Sequence, residues 1–418
     1  MKHLVFLLGS YHPSCSAVDH CAHQVIKCLK KEFNITVIAQ RSEPSLPLEE
    51  MQDGVRILRV ESDDLRQRNR IRSGKSQLSS LRLNIIRARG VLRRLLLPET
   101  VDKSLARAYL NCLIKQPHNI NAIVPVVFPI ESVVTAMRYK EINARTQIIP
   151  YLFDDFVDSG SLHVFRFVSY LKRRRHLILE RKMLEESYAI LAMRPLRNHF
   201  NKWFSKYLTK KISYLEHPLL VKQNWSSPYL EDGVIRLCFA GSLIRNVREP
   251  GFLLQMLGSA KFKSKVKAEF FVMGNAAYQV KSGNVNSKLE VVNYGEVSKG
   301  DADEAVARSN ILLNIGERTG RQISSKIFEY MASGKPIIHI AYTPDDSNLK
   351  ILQKYPLVLC IIKNKDQARH QLRALVDFIE ENCRSSIPYD RVANTFPDAL
   401  PETTCKIFRA VLAEVDGF

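Results

Sequence analysis

Short, almost wholly apolar runs alternate with longer stretches of helical periodicity along this chain, and few folds accept that pattern. The runs read as strands at residues 4–8, 35–39, 55–60, 122–128, 147–153 and 188–193. They return at 235–240, 266–273, 289–292, 311–314, 336–340 and 357–362. A strand without a polar side is buried on both faces, which is the situation of a parallel sheet whose crossover helices cover it above and below. The expectation is an α/β chain with two doubly wound sheets. Between the two series, residues 217–232 carry Pro218, Trp225, two serines and Pro228, and read as a linker. The expected domains are therefore 1–216 and 233–396, followed by a terminal helix within 397–418 that packs back on the first domain. At 418 residues, each half is large enough for its own core, since a domain takes roughly 150 residues.

With 62 Lys plus Arg against 42 Asp plus Glu, the net charge of +20 asks for an anionic partner. From Arg66 to Pro98 there is no acidic residue, and Leu78, Leu81, Ile85, Ala88, Leu92 and Leu95 keep helical spacing among the arginines. A basic amphipathic helix of this kind meets an anionic membrane surface, or it is simply a solvated helix face. Lys172 to Arg175 form a second basic cluster. Nucleic acid is not expected, because no aromatic-interleaved basic motif accompanies the charge. Eight cysteines are scattered without CxxC spacing, which points to a reducing compartment and no zinc site. The opening apolar run is too short for a signal peptide, and none reaches the ~18 residues of a membrane span. The expected location is cytoplasmic, peripheral on the inner face of the cell membrane.

Doubly wound sheets bind ligands beyond the carboxyl ends of their strands, so the loops there are the ones to inspect. The first strand runs into Gly9-Ser10, near His12, Asp19, His20 and His23; two histidines spaced i, i+3 without a third ligand do not make a metal site. The second series opens with Ala240-Gly241-Ser242 and then Arg245 and Arg248, just before a helix start where cations oppose the dipole. Guanidinium groups fork onto phosphate oxygens, so a diphosphate suits them; the alternative is a surface pair with Glu249.

Residues 322–336 are the most informative run. Ser324 or Ser325 reads as the cap of a helix whose apolar side is Ile327, Tyr330 and Met331, stopped by Gly334 and Pro336. Gln322, Ser325, Lys326 and Glu329 fall on the other side. Lys326 there suits a phosphate and Glu329 the diol of a ribose; otherwise the two make an i, i+3 ion pair of about 0.2–0.5 kcal/mol.

This arrangement resembles the retaining glycosyltransferases of family 4, and the resemblance runs through Gly9-Ser10, Ala240-Gly241-Ser242 with its arginines, and Ser325 to Pro336. It implies the GT-B fold, two Rossmann-like domains facing one cleft. It also implies transfer of a hexose-type sugar from a UDP- or GDP-sugar to an acceptor hydroxyl with retained configuration, the acceptor being a glycan or lipid-linked glycan of surface polysaccharide synthesis. Glu329 would hold the nucleotide's ribose, and Arg245 and Arg248 its diphosphate, without a metal. Where the family often carries a glutamate eight positions before Glu329, this chain has Arg321, with Glu317 and Gln322 nearby to act on the donor sugar. Asp154, in the acidic loop after the strand at 147–153, orients the acceptor or stabilises charge at the anomeric carbon, or else favours a helix N-terminus. Asp301 and Asp303 resemble a metal-binding DxD but read as helix capping. The competing classes are a non-catalytic relative that binds a partner, and a sugar-nucleotide epimerase or a phosphorylase on the same fold.

Overall fold

The computed structural model describes residues 1–13, 16–73, 79–96, 100–116, 119–157, 166–223, 232–364 and 367–416. Two compact units emerge: Met1–Pro218 together with Pro401–Phe418, and Leu219–Leu400. Of the expected linker, residues 224–231 lie outside the described residues, and Leu219 and Leu220 are buried in the second unit, where the Leu220 N–H bonds to the Ala399 carbonyl.

The first unit contains β1 (His3–Leu7), β2 (Asn34–Gln40), β3 (Glu49–Gln52), β4 (Val55–Val60), β5 (Ile120–Val127), β6 (Gln147–Ile148), β7 (Tyr151–Leu152), β8 (Ile190–Met193) and β9 (Ile212–Leu215). Its helices are α1 (Ala17–Leu29), α2 (Asp63–Ser73), α3 (Ser79–Leu96), α4 (Lys103–Ile114), α5 (Glu131–Ile142), α6 (Arg166–Glu186), α7 (Arg197–Trp203) and α8 (Lys206–Thr209). The sheet order is β3-β4-β2-β1-β5-β7-β8-β9, with β6 on β5, and the pairs are parallel except β3 with β4. Side chains alternate across β1: Leu4 and Phe6 join one core layer while Val5 and Leu7 join the other. Every residue of β1 is buried, so all but His3, whose ring meets Thr36 at 2.9 Å, are apolar.

The second unit contains β10 (Val234–Ser242), β11 (Lys265–Met273), β12 (Gly283–Asn284), β13 (Leu289–Asn293), β14 (Ile311–Ile315), β15 (Ile337–Ala341) and β16 (Val358–Ile362). Its helices are α9 (Gly251–Ser259), α10 (Lys299–Arg308), α11 (Lys326–Ala332), α12 (Ser347–Leu352), α13 (Ala368–Asn382) and α14 (Tyr389–Thr395). The order β12-β13-β11-β10-β14-β15-β16 is parallel apart from the β12 edge. The last helix of the chain, α15 (Pro401–Ala413), belongs to the first unit: Phe408 packs on Phe6 and Tyr151 with ring centres 6.3 and 5.4 Å away, and Arg409 holds Glu32 at 2.7 Å.

Both sheets are wound outward from their middle, β1 and β5 in one, β10 and β14 in the other. The strands there stay parallel, but the winding order reverses between those neighbours, so the loops leaving their carboxyl ends part and leave a crevice. The expected strand at 147–153 is broken into β6 and β7, because Ile149 and Pro150 intervene and proline has no N–H to give the ladder. Of the acid-free stretch, residues 74–78 and 97–99 and the side chains of Arg72, Leu81, Arg82, Arg87, Arg93 and Arg94 lie outside the described residues. In α3 it is Ile86 that is buried, while Ile85 and Leu92 of the expected apolar stripe are exposed. Among the described residues no helix is long and apolar enough to cross a membrane.

Candidate active site

In the second unit the crevice lies between the turn after β10 and the loop after β14. The Ala240 N–H bonds to the buried Tyr330 hydroxyl at 3.1 Å, fixing the end of β10 against α11. Gly241 and Ser242 are half-buried and lead into a tight turn in which Ile244 and Arg248 exchange both backbone bonds, at 2.9 and 2.8 Å. Asn246 reverses the chain at φ 63°, a left-handed conformation that asparagine tolerates. Arg245 is exposed. Arg248 points inward: its Nε is buried with no partner among the described residues, and burial pulls its pKa down against the opposing charges of Glu317 and Asp346. A guanidinium remains charged there, so this is a cation with an unused donor. Glu249 does not take it; its carboxylate accepts the Asn246 N–H at 3.2 Å and lies 3.9 Å from Arg318.

The loop 316–325 is shaped by a buried polar network below it. Asp346 caps α12 through the Asn348 N–H at 2.8 Å and approaches His339 at 3.4 Å, and Asn314 bridges His339 and Ser324 at 2.8 and 3.2 Å. Side chains have no room where the loop crosses this network: a Cβ on Gly316 would sit 2.2 Å from Asp346 Oδ2, and Gly320, at φ 68°, would meet Thr343 at 2.5 Å. Glu317 is half-buried and accepts the Thr319 hydroxyl at 2.7 Å, while Arg321 and Gln322 are exposed. The expected serine cap of α11 is not formed. Ser325 takes the helical conformation with no side-chain cap bond, because Ser324 is drawn down to Asn314 and the first turn is closed by backbone bonds instead.

Glu329 is the meeting point of two lysines. Its Oε2 accepts Lys326 Nζ at 2.8 Å and Lys299 Nζ at 3.3 Å, and Lys299 also reaches Asp303 at 2.6 Å. Burial disfavours the Lys299 charge, but Glu329 and Asp303 outweigh it and hold its pKa above the ordinary value. Ile327, Phe328, Tyr330 and Met331 fill the core side of α11, so Glu329 is positioned without contributing to packing. Lys299 begins α10, thirty positions before Glu329, and no sequence spacing announces it. Asp301 and Asp303 are engaged locally: Ser298 caps α10 through the Asp301 N–H at 3.2 Å and donates to the Asp301 carboxylate at 2.7 Å.

In the first unit the Gly9-Ser10 loop is turned onto buried Asp19, which accepts the Gly9 and Ser10 N–H groups at 3.2 and 3.0 Å and the Ser10 and Ser16 hydroxyls at 2.6 Å each. Burial raises the Asp19 pKa, against those hydrogen bonds. His23 stands between Tyr11 at 3.0 Å and His12 at 3.1 Å, and burial with neighbouring positive charge lowers its pKa to about 4. Asp154 is half-buried in the loop after β7, whose remainder from 158 lies outside the described residues. That loop is anchored by Glu180 of α6: one carboxylate oxygen accepts the Phe156 N–H and the other meets His199 Nε2, both at 2.8 Å. Asp155, Glu180 and His199 bring ligand-type atoms within 4.8 Å of one another, but the Glu180 oxygens already have these partners.

Among solved structures, the chain is similar to HepE from Anabaena in complex with UDP and glucose, with a TM-score of 0.62 and 12% identity over 99% of this chain and 100% of that one. Sucrose-phosphate synthase from Thermosynechococcus elongatus gives 0.58 and 12% over 99% and 100%. The catalytic domain of Arabidopsis thaliana starch synthase IV, bound to ADP and acarbose, gives 0.57 and 10% over 100% of both chains. The fold is GT-B. No protein-family model matches the chain, and no curated protein matches it by sequence. Identities this low carry the architecture alone; the chemistry of the GT-B chain lies in its own side chains.

Proposed function

We propose that this protein is a glycosyltransferase that moves a hexose-type sugar from a UDP- or GDP-sugar to an acceptor hydroxyl, with retention. The observation that carries the reading is the set Lys299, Lys326, Glu329 and Arg248 around the crevice of the second unit. A carboxylate held by two lysines is an acceptor for the two hydroxyls of a ribose, and the lysines then face the phosphates. Arg248 offers a desolvated cation with an unused donor, and Arg245 adds an exposed one. Loss of the sugar leaves a diphosphate whose charge these groups neutralise, the role a divalent ion plays elsewhere. On this reading no metal is required.

In the step itself the anomeric C–O bond to the diphosphate breaks and the acceptor oxygen bonds to the same carbon on the same face. The acceptor proton passes to the departing phosphate oxygen. The sugar carries positive charge between these events. Glu317, close to Arg248, is assigned to the donor sugar, with Gln322 beside it and Ser325 at the start of α11. Asp154 is assigned to the acceptor hydroxyl or to the developing charge. The acceptor we propose is a lipid-linked glycan, with the protein peripheral on the cytoplasmic face of the membrane. Arg321 favours one competing reading, a non-catalytic binder, because it places a cation where relatives of this kind often have a carboxylate.

Incubation with UDP- and GDP-sugars separates the two. Slow hydrolysis that releases the nucleoside diphosphate supports the enzyme; tight nucleotide-sugar binding with no turnover, even when glycan acceptors are supplied, supports the binder.

A further inference from the structure

Helix α6 buries Val168, Met183 and Leu184 but turns other apolar residues outward. Phe167, Tyr170, Leu171 and Ile178 are 58–73% exposed, whereas Lys172, His176 and Glu180 are buried. At 100° per residue, Phe167, Leu171, Arg174 and Ile178 lie along one line of the helix, and Lys172, His176 and Glu180 along the opposite one. The buried polar side has its reasons: Lys172 and His176 both reach Thr100, at 3.4 and 3.3 Å, and Glu180 anchors the Asp154 loop through Phe156. On the outer side apolar surface faces solvent instead and costs free energy for as long as it does.

Cations interleave that apolar stripe. Arg173, Arg174 and Arg181 line an open hollow of about 460 Å³ with Tyr170, Ile178 and Trp203. Arg173 lies 5.1 Å from the Tyr170 ring and 5.9 Å from that of Trp203, its Nε is buried without a partner among the described residues, and Lys202 stacks on Trp203 at 4.8 Å. Nearby on α8, Tyr207 is exposed beneath Lys210 at 4.7 Å.

We infer that the outer face of α6, with Trp203, is an interfacial docking surface for a bilayer containing anionic lipid. The chemistry selects this occupant. Aromatic rings with polar or cationic companions settle at the boundary between acyl chains and headgroups, and arginines reach from there to phosphate. A second copy of the chain would set Arg174 and Arg181 against their own kind within a molecule of net charge +20. The inference deepens the membrane association proposed above by naming the helix that carries it, and it does not depend on glycosyl transfer. It also gives α6 two faces with one purpose, since the helix that meets the lipid holds, on its inner side, the loop assigned to a lipid-linked acceptor.

The test is co-sedimentation with vesicles of phosphatidylcholine alone or with phosphatidylglycerol, at low and high salt, without donor or acceptor. The wild type should bind the anionic vesicles and be released by salt. Two double variants, Leu171→Ser with Ile178→Ser and Arg174→Glu with Arg181→Glu, should each weaken partition at least about tenfold. Both change exposed residues, and both should keep wild-type nucleotide-sugar hydrolysis. With Trp225→Phe leaving Trp203 as the remaining indole, brominated lipid should quench its fluorescence. Undiminished binding by the α6 variants, above all if Arg70→Glu with Arg89→Glu abolishes it, overturns the assignment to α6. Absence of binding by the wild type, equal binding to neutral vesicles, or lipid-free self-association that the α6 variants abolish overturns the bilayer as the occupant; in each case turnover of nucleotide-sugar is read separately and stands or falls by itself.

Discussion

Lys299 and Glu329 come from different helices of one unit, and their side chains meet at 3.3 Å, where Lys326 completes the group at 2.8 Å. An isolated lysine three residues from a glutamate on a helix contributes only a few tenths of a kcal/mol. Two cations on one half-buried carboxylate are another matter, because each helps to fix it in place; Asp303, 2.6 Å from Lys299, balances the second lysine, so the two lysines stand preset beside the proposed phosphate position. The charge set is ready before a ligand arrives, which is the condition under which electrostatic stabilisation contributes most to a reaction.

A consequence follows for metals. If Arg245, Arg248, Lys326 and Lys299 neutralise the departing diphosphate, initial rates of nucleotide-sugar turnover should be unchanged, within about twofold, in excess EDTA. Complete loss in chelator, restored by magnesium or manganese, would contradict the scheme and return attention to Asp301, Asp303 and the Asp155, Glu180, His199 group.

The fold was legible in the sequence because burial on both faces leaves strands such as Leu4–Leu8 without polar residues, a signal that no amphipathic helix or solvated sheet imitates and that run length separates from a buried helix. Strands that lack this burial escaped the reading. Glu49–Gln52 is an exposed edge with an antiparallel partner, and nothing in its composition sets it apart from a loop. The candidate site was legible where it is local, in Lys326 and Glu329 on one short helix. It was illegible where topology assembles it: Lys299 arrives from α10, and Asp346 and His339 support the loop 316–325 from α12 and β15. Capping chemistry misled at Ser324, since a serine preceding a helix is a good cap only when no deeper partner competes for its hydroxyl, and Asn314 does.

The first unit should weaken in mild acid. His23 has a folded pKa of about 4 against an ordinary 6.5, so the unfolded chain takes up the proton first. Its contribution is therefore intact above pH 6.5 and is lost as pH falls toward 4. Allowing for solvent screening of a half-buried ring, the loss should be about 1–2 kcal/mol. Denaturant unfolding at a series of pH values, compared with His23→Gln, checks it. The variant should flatten the slope in that window, and an unchanged slope would mean other groups carry the acid response.

The closing helix should be needed by the first unit. Phe408 is fully buried against Phe6 and Tyr151, and Phe408→Ala removes a ring from that layer. Large-to-small changes of this kind cost about 3–5 kcal/mol. The transition of the first unit, followed by calorimetry, should fall while that of the second stays in place. Equal displacement of both, or of neither, would show that α15 does not stabilise the first unit by itself.

Glu329 is the centre of the proposed donor site, and calorimetric titration with UDP- and GDP-sugars tests that role directly. Hydrogen bonds to a charged group contribute about 1.5–3 kcal/mol, so Glu329→Ala should weaken nucleotide-sugar binding roughly 10- to 100-fold. Its melting temperature should match that of the wild type, because the side chain lies away from the core side of α11. Binding as tight as wild type in the variant would contradict the placement of the donor in this crevice.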